Sequence, residues 1–346
     1  MSIKGRTYHF TPYRLFSRIG RRRSAAYRSA LLHLPAFLLA CSPLPDAGQD
    51  PVPAIRKAQI YILPSGNTTV RGIDLLFFGQ EPLERLDAWQ HLAIPADSRV
   101  EGVSSVEARK LAVIGNYPEQ GSTWSDIRSF TSLKERVLRL ADEDPAAPVL
   151  VGTADLPEGS RRTCRVTLRP MLSRITLRSL ACDFTGRSYV GEHLQDVRAY
   201  LTYAVDVCHP FDPDAVPASW VNAGRLDEGG TEALSHPETV LRNIAPSVGG
   251  RIYPSLDYFC YPNPSDGTQF GQPVTRLVIE GKLRGTTYYY PIDLPGLKAD
   301  VQYRLDVTLT RAGTTDPDIH AAAGTILLEG SVLDWDSRVW NDIHFS

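Results

Sequence analysis

Short apolar runs recur along this chain, and turn residues separate them. Residues 57–63 alternate between apolar and polar side chains and end at the turn sequence 64–67 (PSGN). Residues 70–78 and 111–114 are almost continuously apolar and are also followed by turn residues. Runs of this length, bounded by Gly, Pro, Asn and Ser, are typical of β-strands that are buried on one face or on both. The first part of the chain is therefore predicted to be a set of short strands.

One segment of the first half has helical spacing instead. Within residues 126–140 the apolar positions recur every three or four residues, which places them on one face of a helix. The acidic, Pro-containing stretch 142–148 ends this pattern, and the polar stretch 156–162 marks a domain boundary near residue 160. The apolar positions are Ile127, Phe130, Leu133, Val137 and Leu140.

The second half has a period of two over most of its length. Residues 209–255, rich in Pro, Gly, Asp and Glu, break the pattern and predict long loops. Hairpin-like spacing of the later runs favours antiparallel strands. We expect an all-β fold with a minor helix, in two tandem β-sandwich domains over residues 57–160 and 161–346. The predicted strands of the second domain are 164–172, 174–180, 197–207, 275–283, 286–292, 301–310 and 324–335.

The N-terminal region has the pattern of an export signal. A long basic stretch precedes the apolar run 31–39, which is shorter than the roughly 20 residues of a membrane-spanning helix. The sequence Leu38-Leu39-Ala40-Cys41 resembles a lipobox, so we expect residues 1–40 to be a signal peptide cleaved between Ala40 and Cys41. The Cys41 thiol would then carry a lipid, with palmitate among its acyl chains. The alternative is an ordinary signal peptide with an incidental cysteine.

Residues 41–56 are rich in Pro, Asp, Gly and Gln and predict an extended tether or propeptide. Of the 37 basic side chains eight lie in residues 1–40, which leaves 29 against 39 acidic ones. A mature chain with a net charge near −10 has no basic surface for nucleic acid. We therefore expect an exported protein held at a membrane surface by lipid, with no nucleic-acid partner.

The remaining cysteines and the histidines do not form a recognisable chemical site. The four body cysteines have no zinc-binding spacing, and they are compatible with up to two disulfides or with buried free thiols. The six histidines after residue 40 have no metal-ligand spacing, and no catalytic or nucleotide-binding motif is present. The acidic loop 209–214 is interpreted as solvated. We expect no enzyme activity, no metal and no cofactor; the cysteines are Cys164, Cys182, Cys208 and Cys260.

An ordered series of segments resembles the fimbrillins, the lipoprotein pilus subunits of Bacteroidetes that are also called type V pilins. The series consists of residues 288–292 (YYYPI), 301–310 (VQYRLDVTLT) and 332–335 (VLDW), with residues 166–177 upstream. The resemblance implies two transthyretin-like sandwiches. It also implies export as a lipoprotein, trimming by an arginine-specific protease and polymerisation by strand exchange. The implied function is a structural subunit of a fimbria, at its stalk, tip or anchor, with a role in adhesion.

Carried onto this chain, the resemblance makes Arg56 the expected processing site and Arg71 a second possibility. The C-terminal segment 337–345 would be the donor strand, although an ordinary final strand of its own domain fits it equally well. The expected partners are other pilin subunits, the outer membrane, and a host glycan or protein. The side chains expected to fill the neighbour's groove are Val339, Ile343 and Phe345.

Two features keep other interpretations open. Prolines within residues 43–53 cannot donate to a sheet, which disfavours a removable strand there and favours an anchor or accessory subunit. The competing class of protein is a carbohydrate-binding surface lipoprotein, in which exposed aromatic rings bind sugars; the alternative for those rings is local packing. The candidate rings are Trp124, Trp220, Tyr253, Tyr258 and Tyr261.

Overall fold

The fold comes from a computed structural model. The chain divides into two compact units, Met1–Val52 and Pro53–Ser346. All of the residues that the structure describes lie in the second unit, and residues 341–343 are described by their backbone alone. The described residues are 54–66, 68–93, 98–118, 124–159, 162–223, 241–335 and 341–343.

The first half forms one seven-stranded sheet in the order β3-β2-β5-β7-β8-β1-β4. Apolar side chains from β1, β2, β4, β5, β7 and β8 share one core, so the sheet folds over and packs against itself as a sandwich. Its strands are β1 (Ile55–Pro64), β2 (Ile73–Phe78), β3 (Leu86–Leu92), β4 (Arg99–Ser105), β5 (Lys110–Gly115), β7 (Leu150–Asp155) and β8 (Arg162–Pro170), with the short β6 (Leu138–Arg139) outside the sheet.

The second half contains two larger sheets, β14-β10-β16-β17 and β15-β9-β18-β19-β20. Their buried side chains belong to a single core, which also reaches the outer side of β2 and β5. The strands are β9 (Ser173–Cys182), β10 (Leu194–Thr202), β11 (Ala204–Val205), β12 (Val207–Cys208), β13 (Trp220–Val221), β14 (Leu241–Val248), β15 (Leu256–Cys260), β16 (Thr275–Leu283), β17 (Thr286–Leu294), β18 (Val301–Leu309), β19 (Ile326–Asp334) and β20 (Asn341–Ile343).

The all-β class with sandwich packing is confirmed, but two pairs of neighbouring strands are parallel. Each half contains one parallel pair, β1 with β8 and β9 with β18, where antiparallel strands were expected. The first sheet also continues past residue 160, because β8 pairs with β1 and β7. The domain boundaries therefore stay a prediction, but the strand expected to open the second domain lies in the first sheet.

The helix is much shorter than its sequence pattern predicts. Only α1 (Phe130–Lys134) is α-helical, with a capping box formed by Ser129 and Ser132. The chain then leaves the helix so that β6 can pair with β12, which supplies tertiary hydrogen bonds that a longer helix would forgo. The apolar side chains of this segment are still buried as their spacing predicts, since Phe130 and Leu133 are in the core. Among the described residues no helix has the length and apolar character of a membrane span.

Two predicted strand regions also differ from the structure. The run expected over residues 197–207 is interrupted after β10 by Tyr203, whose φ of 52° turns the chain before β11 begins. The region expected to be loops contains β14, which pairs with β10 across a β-bulge. Its side chains are mostly half-buried or exposed, so it has neither apolar alternation nor a continuous apolar run.

Candidate functional site

The first strand lies inside the first sheet and is the central element of the candidate site. β1 pairs in parallel with β8, from Ala58 opposite Arg162 to Pro64 opposite Leu168. On its other side it pairs antiparallel with β4, from Ile55 opposite Ser105 to Tyr61 opposite Arg99. Removal of β1 would therefore expose unpaired N–H and C=O groups on two strands at once.

Only one face of β1 is buried. Ala58, Ile60 and Ile62 are fully buried in the core of the first sandwich, whereas alternate side chains are exposed or half-buried. Gly102 of β4 leaves room for this face, since a Cβ there would lie 2.9 Å from the Ile60 Cδ1 atom. β1 thus fills a slot with three small-to-medium apolar side chains, and any replacement strand needs the same alternation.

An exposed loop joins β1 to the fully buried β2, and Arg71 lies in it. The Arg71 side chain is 62% exposed and forms an ion pair with Asp144 at 2.8 Å. Its backbone N–H donates to the Asn116 side-chain oxygen at 2.7 Å. Arg71 is therefore held in an extended, solvent-facing connection directly before a core strand.

Arg56 has a different environment. It lies within β1, opposite Ser104 of β4, and its guanidinium donates to the backbone carbonyl of Gly159. A break after Arg56 would leave the buried positions of β1 in place. The prediction of processing at Arg56 is not tested by this geometry and stays a prediction.

The end of β1 also touches the second half of the chain. The Ser65 hydroxyl lies 3.0 Å from both carboxylate oxygens of Asp300, and the Ser65 N–H donates to the Leu168 carbonyl. Burial raises the pKa of the Asp300 carboxyl, while the hydrogen bond from Ser65 partly offsets that rise. Asp300 is thus a half-buried acid. Ser65, whose hydroxyl donates to it, belongs to the segment that follows β1.

The other end of the chain carries the predicted donor segment. β20 pairs antiparallel with β19, with Ile343 opposite Gly330, so this part of the segment is a final strand of its own sheet in the structure. Among the described residues β20 has no neighbour on its other side. Donation by this segment is untested. Val339 and Phe345 lie outside the described residues, as do Ala40 and Cys41.

A second contact between the two halves involves a buried acid. Glu143 accepts a hydrogen bond from the Tyr261 hydroxyl at 3.0 Å and another from the Val149 N–H at 2.9 Å. Burial raises the pKa of Glu143 to about 7, although both hydrogen bonds act in the opposite direction. No feature of the local sequence distinguishes this glutamate from the neighbouring Asp142 and Asp144, because Tyr261 is distant in the chain.

The body cysteines are free thiols, and burial raises the pKa of each of them. The pKa is about 11 for Cys164 and Cys182 and about 12 for Cys260, and it is also well raised for Cys208. Thiolates form with difficulty at such pKa values, so these side chains act as small apolar groups. Within the described residues no group of three or more His, Cys, Asp or Glu side chains is placed to hold a metal ion.

Most of the aromatic rings suggested for sugar binding are not accessible. Trp124, Tyr258 and Tyr261 are fully buried, so the alternative of local packing holds for these three rings. Trp220 is half-buried, and Tyr253 is 70% exposed. Sequence position alone therefore selected one clearly exposed ring of five, because Tyr258 lies on β15, Tyr261 directly follows this strand, and Trp124 lies in a 3-10 helix.

The fold is similar to those of solved adhesion and fimbrial proteins from Bacteroides, Parabacteroides and Porphyromonas species. A candidate cell adhesion protein from Bacteroides eggerthii superposes with a TM-score of 0.60 at 15% identity, covering 82% of this chain and 97% of that one. A fimbrilin from Porphyromonas gingivalis gives 0.56 at 12% identity, covering 81% and 98%. A candidate cell adhesion protein from Parabacteroides distasonis gives 0.56 at 11%, covering 83% and 98%.

Sequence comparison adds no relative to these structures. No protein-family model matches the chain, and no curated protein matches it. Coverage of 81–83% of this chain and 97–98% of the others, at identities of 11–15%, shows that most of the fold is shared although the sequences have diverged. The fold expected from the fimbrillin resemblance is thereby confirmed.

Proposed function

We propose that this chain is a structural subunit of a cell-surface fimbria and assembles by exchange of its first strand. The observation that carries the proposal is the position of β1 between β8 and β4, next to an exposed loop that contains Arg71. A strand in this position can be replaced by another with the same apolar alternation. Its removal leaves backbone groups of β8 and β4 unpaired and one apolar slot empty, and the new strand can fill both. The role is structural and adhesive rather than catalytic.

Processing after Arg71 fits this function better than processing after Arg56. Proteases cut exposed, extended loops in preference to strands that are hydrogen-bonded on both sides. A cut after Arg71 would separate all of β1 from the rest of the chain, whereas a cut after Arg56 would remove only two residues of it. Arg71 is therefore our preferred processing site within the strand-exchange hypothesis.

The remaining parts of the proposal concern the two ends of the chain. The signal-like region and Cys41 support lipid attachment and outer-membrane retention of the precursor. The C-terminal segment 337–345 would leave the edge of its own sheet and occupy the β1 slot of a neighbouring subunit. β20 is only three residues long, which favours such release over that of the nine-residue β19.

The test is digestion of the purified chain with an arginine-specific protease, followed by N-terminal mass analysis. We expect a new N-terminus at Gly72 in the unmodified chain and in Arg56→Lys. We expect none in Arg71→Lys, which keeps the charge beside Asp144. The cut protein should then bind a synthetic peptide of residues 337–345. It should not bind a matched peptide with Asp at positions 339, 343 and 345.

Each outcome has a defined meaning. A new N-terminus at Lys57 with Arg71 uncut would support the original Arg56 prediction. Cleavage at Arg71 without release of β1 and without peptide binding would contradict strand exchange. Lipid attachment is tested separately, since Cys41→Ala should abolish labelling by a fatty-acid analogue and membrane retention; unchanged membrane fractionation would reject the lipobox.

A further inference from the structure

A loop between β15 and β16, closed at its base by hydrogen bonds, presents a fully exposed phenylalanine. Asn263, which is buried, donates to the Pro273 carbonyl at 2.9 Å and to the Thr275 hydroxyl at 3.0 Å. The Ser265 hydroxyl donates to the Gln272 carbonyl at 2.6 Å. These bonds close the loop at its base.

Phe270 lies at that tip. Its relative exposure is 107%, the highest among the large apolar side chains that the structure describes. Gly271 follows it with a φ of 78°, and Gly267 precedes it with a φ of 82°, conformations that let the loop turn on both sides of the ring. A single exposed ring is not a site by itself, because apolar residues are common on protein surfaces.

The loop borders a polar groove of about 850 Å³. In its wall, the Arg276 guanidinium donates to Asp293 at 2.6 Å and to the Asp318 backbone carbonyl at 3.1 Å. His320 Nδ1 lies 3.3 Å from Asp293, and the Tyr203 hydroxyl donates to the Asp318 carboxylate at 3.3 Å. The carboxylates and the guanidinium are thus held in place by one another. We call this ring and its polar wall the Phe270 groove.

The chemistry of the Phe270 groove selects against several kinds of ligand. Three carboxylates, those of Asp266, Asp293 and Asp318, outnumber the single permanent cation Arg276, which disfavours an anionic ligand. The paired charges in this wall also distinguish it from the apolar centre of a protein interface. A neutral sugar fits better, because its C–H face packs on a ring while its hydroxyls both donate to carboxylates and accept from a guanidinium.

We infer that the Phe270 groove binds a neutral hexopyranoside, with Phe270 under the sugar ring and Asp293, Asp318 and Arg276 at its hydroxyls. Preorganised polar groups beside one apolar surface are the usual composition of a small-ligand site. A single sugar offers few contacts, so millimolar affinity is expected for a monosaccharide. The site goes beyond the structural role, since β1 and the Arg71 loop take no part in it.

The test is saturation-transfer NMR on the uncut chain with the methyl glycosides of galactose, glucose, mannose, N-acetylglucosamine and N-acetylgalactosamine. We expect saturable transfer to at least one of them. Phe270→Ala should weaken its binding about tenfold, whereas Phe270→Trp should retain it. Tyr253→Ala is the matched control, because it removes an exposed aromatic ring outside the groove and should leave binding unchanged.

Three results would overturn the inference. One is the absence of saturation transfer to every glycoside at about 10 mM. Another is binding that Phe270→Ala and Tyr253→Ala weaken equally. The third is a Phe270→Ala variant that binds sugar normally but fails to associate with other subunits, which would reassign the loop to a protein contact. Failure of strand exchange would leave the sugar-binding measurements unchanged, because they use the uncut chain.

Discussion

β1 and β18 occupy equivalent positions in their sheets, yet their attachments differ. Each lies between a parallel neighbour and an antiparallel neighbour. β18 is buried on both faces, and Asp306 on it accepts hydrogen bonds from Arg178 at 3.0 Å and from Ser179 at 2.5 Å. β1 is buried on one face and is followed by an exposed loop. Equal backbone pairing thus accompanies one strand that is buried on both faces and one that, under the proposed strand exchange, would leave its sheet.

The largest effect on stability should come from truncating one fully buried side chain on each of the two strands. Leu305→Ala on β18 and Ile60→Ala on β1 each remove a fully buried side chain. Each should lower the free energy of unfolding of the uncut chain by about 2–5 kcal/mol, measured by urea denaturation. After cleavage at Arg71 and release of β1, only Leu305→Ala should still matter. If Ile60→Ala lowers the free energy of unfolding of the cut protein by the same amount, β1 has stayed bound. The proposed difference between β1 and β18 is then wrong.

A smaller effect should come from the charge that secures β18. The hydrogen bonds from Arg178 and Ser179 lower the pKa of Asp306 in spite of its burial, which would raise it. Asp306→Asn should therefore cost about 1.5–3 kcal/mol at neutral pH. The carboxylate stabilises the fold above its ordinary pKa of 3.8 and loses this contribution as the pH falls through the lowered value. A cost that does not shrink in acid would contradict this assignment.

Glu143 should have the opposite pH dependence. Its pKa is raised from 4.5 to about 7, so the folded state binds the proton more tightly than the unfolded state. The stability that protonated Glu143 contributes to the folded state is fully present below pH 4.5 and is lost as the pH rises through about 7. Glu143→Gln should hence gain about 3 kcal/mol relative to the unmodified chain over this range. Thermal unfolding from pH 4 to 8 measures it, and parallel curves would exclude a raised pKa.

The smallest effect should come from the contact between Ser65 and Asp300. Ser65→Ala removes a hydrogen bond that lowers the pKa of Asp300, so that pKa should rise further and stability should fall by about 1 kcal/mol. Cleavage at Arg71 with release of the preceding segment should produce the same shift. Carboxyl-carbon NMR titration detects it. Thr68→Ala, which removes the bond to the Ser65 carbonyl and leaves the carboxylate contact, is the control.

The strand pattern of this chain was predictable because, in most strands, the alternation or continuity of apolar residues indicates which side chains are buried. β2 has six consecutive buried residues, and β16 and β18 begin at the predicted residues. β14 could not be predicted, since its side chains are only partly buried and its place beside β10 depends on a distant strand. The helix predicted over residues 126–140 was too long for a related reason, because pairing of β6 with β12 replaced the second part of a locally favourable helical pattern.

The amino-acid sequence by itself determined the all-β class, the core faces of the strands and the resemblance to fimbrillins. These depend on side-chain periodicity and on short ordered segments, which are local properties. Only the tertiary structure decided that β1 lies between β8 and β4, that Arg71 lies in a loop whereas Arg56 lies within a paired strand, and that Phe270 stands beside a charged groove. Each of these depends on contacts between residues far apart in the chain, whose pairing no local pattern specifies.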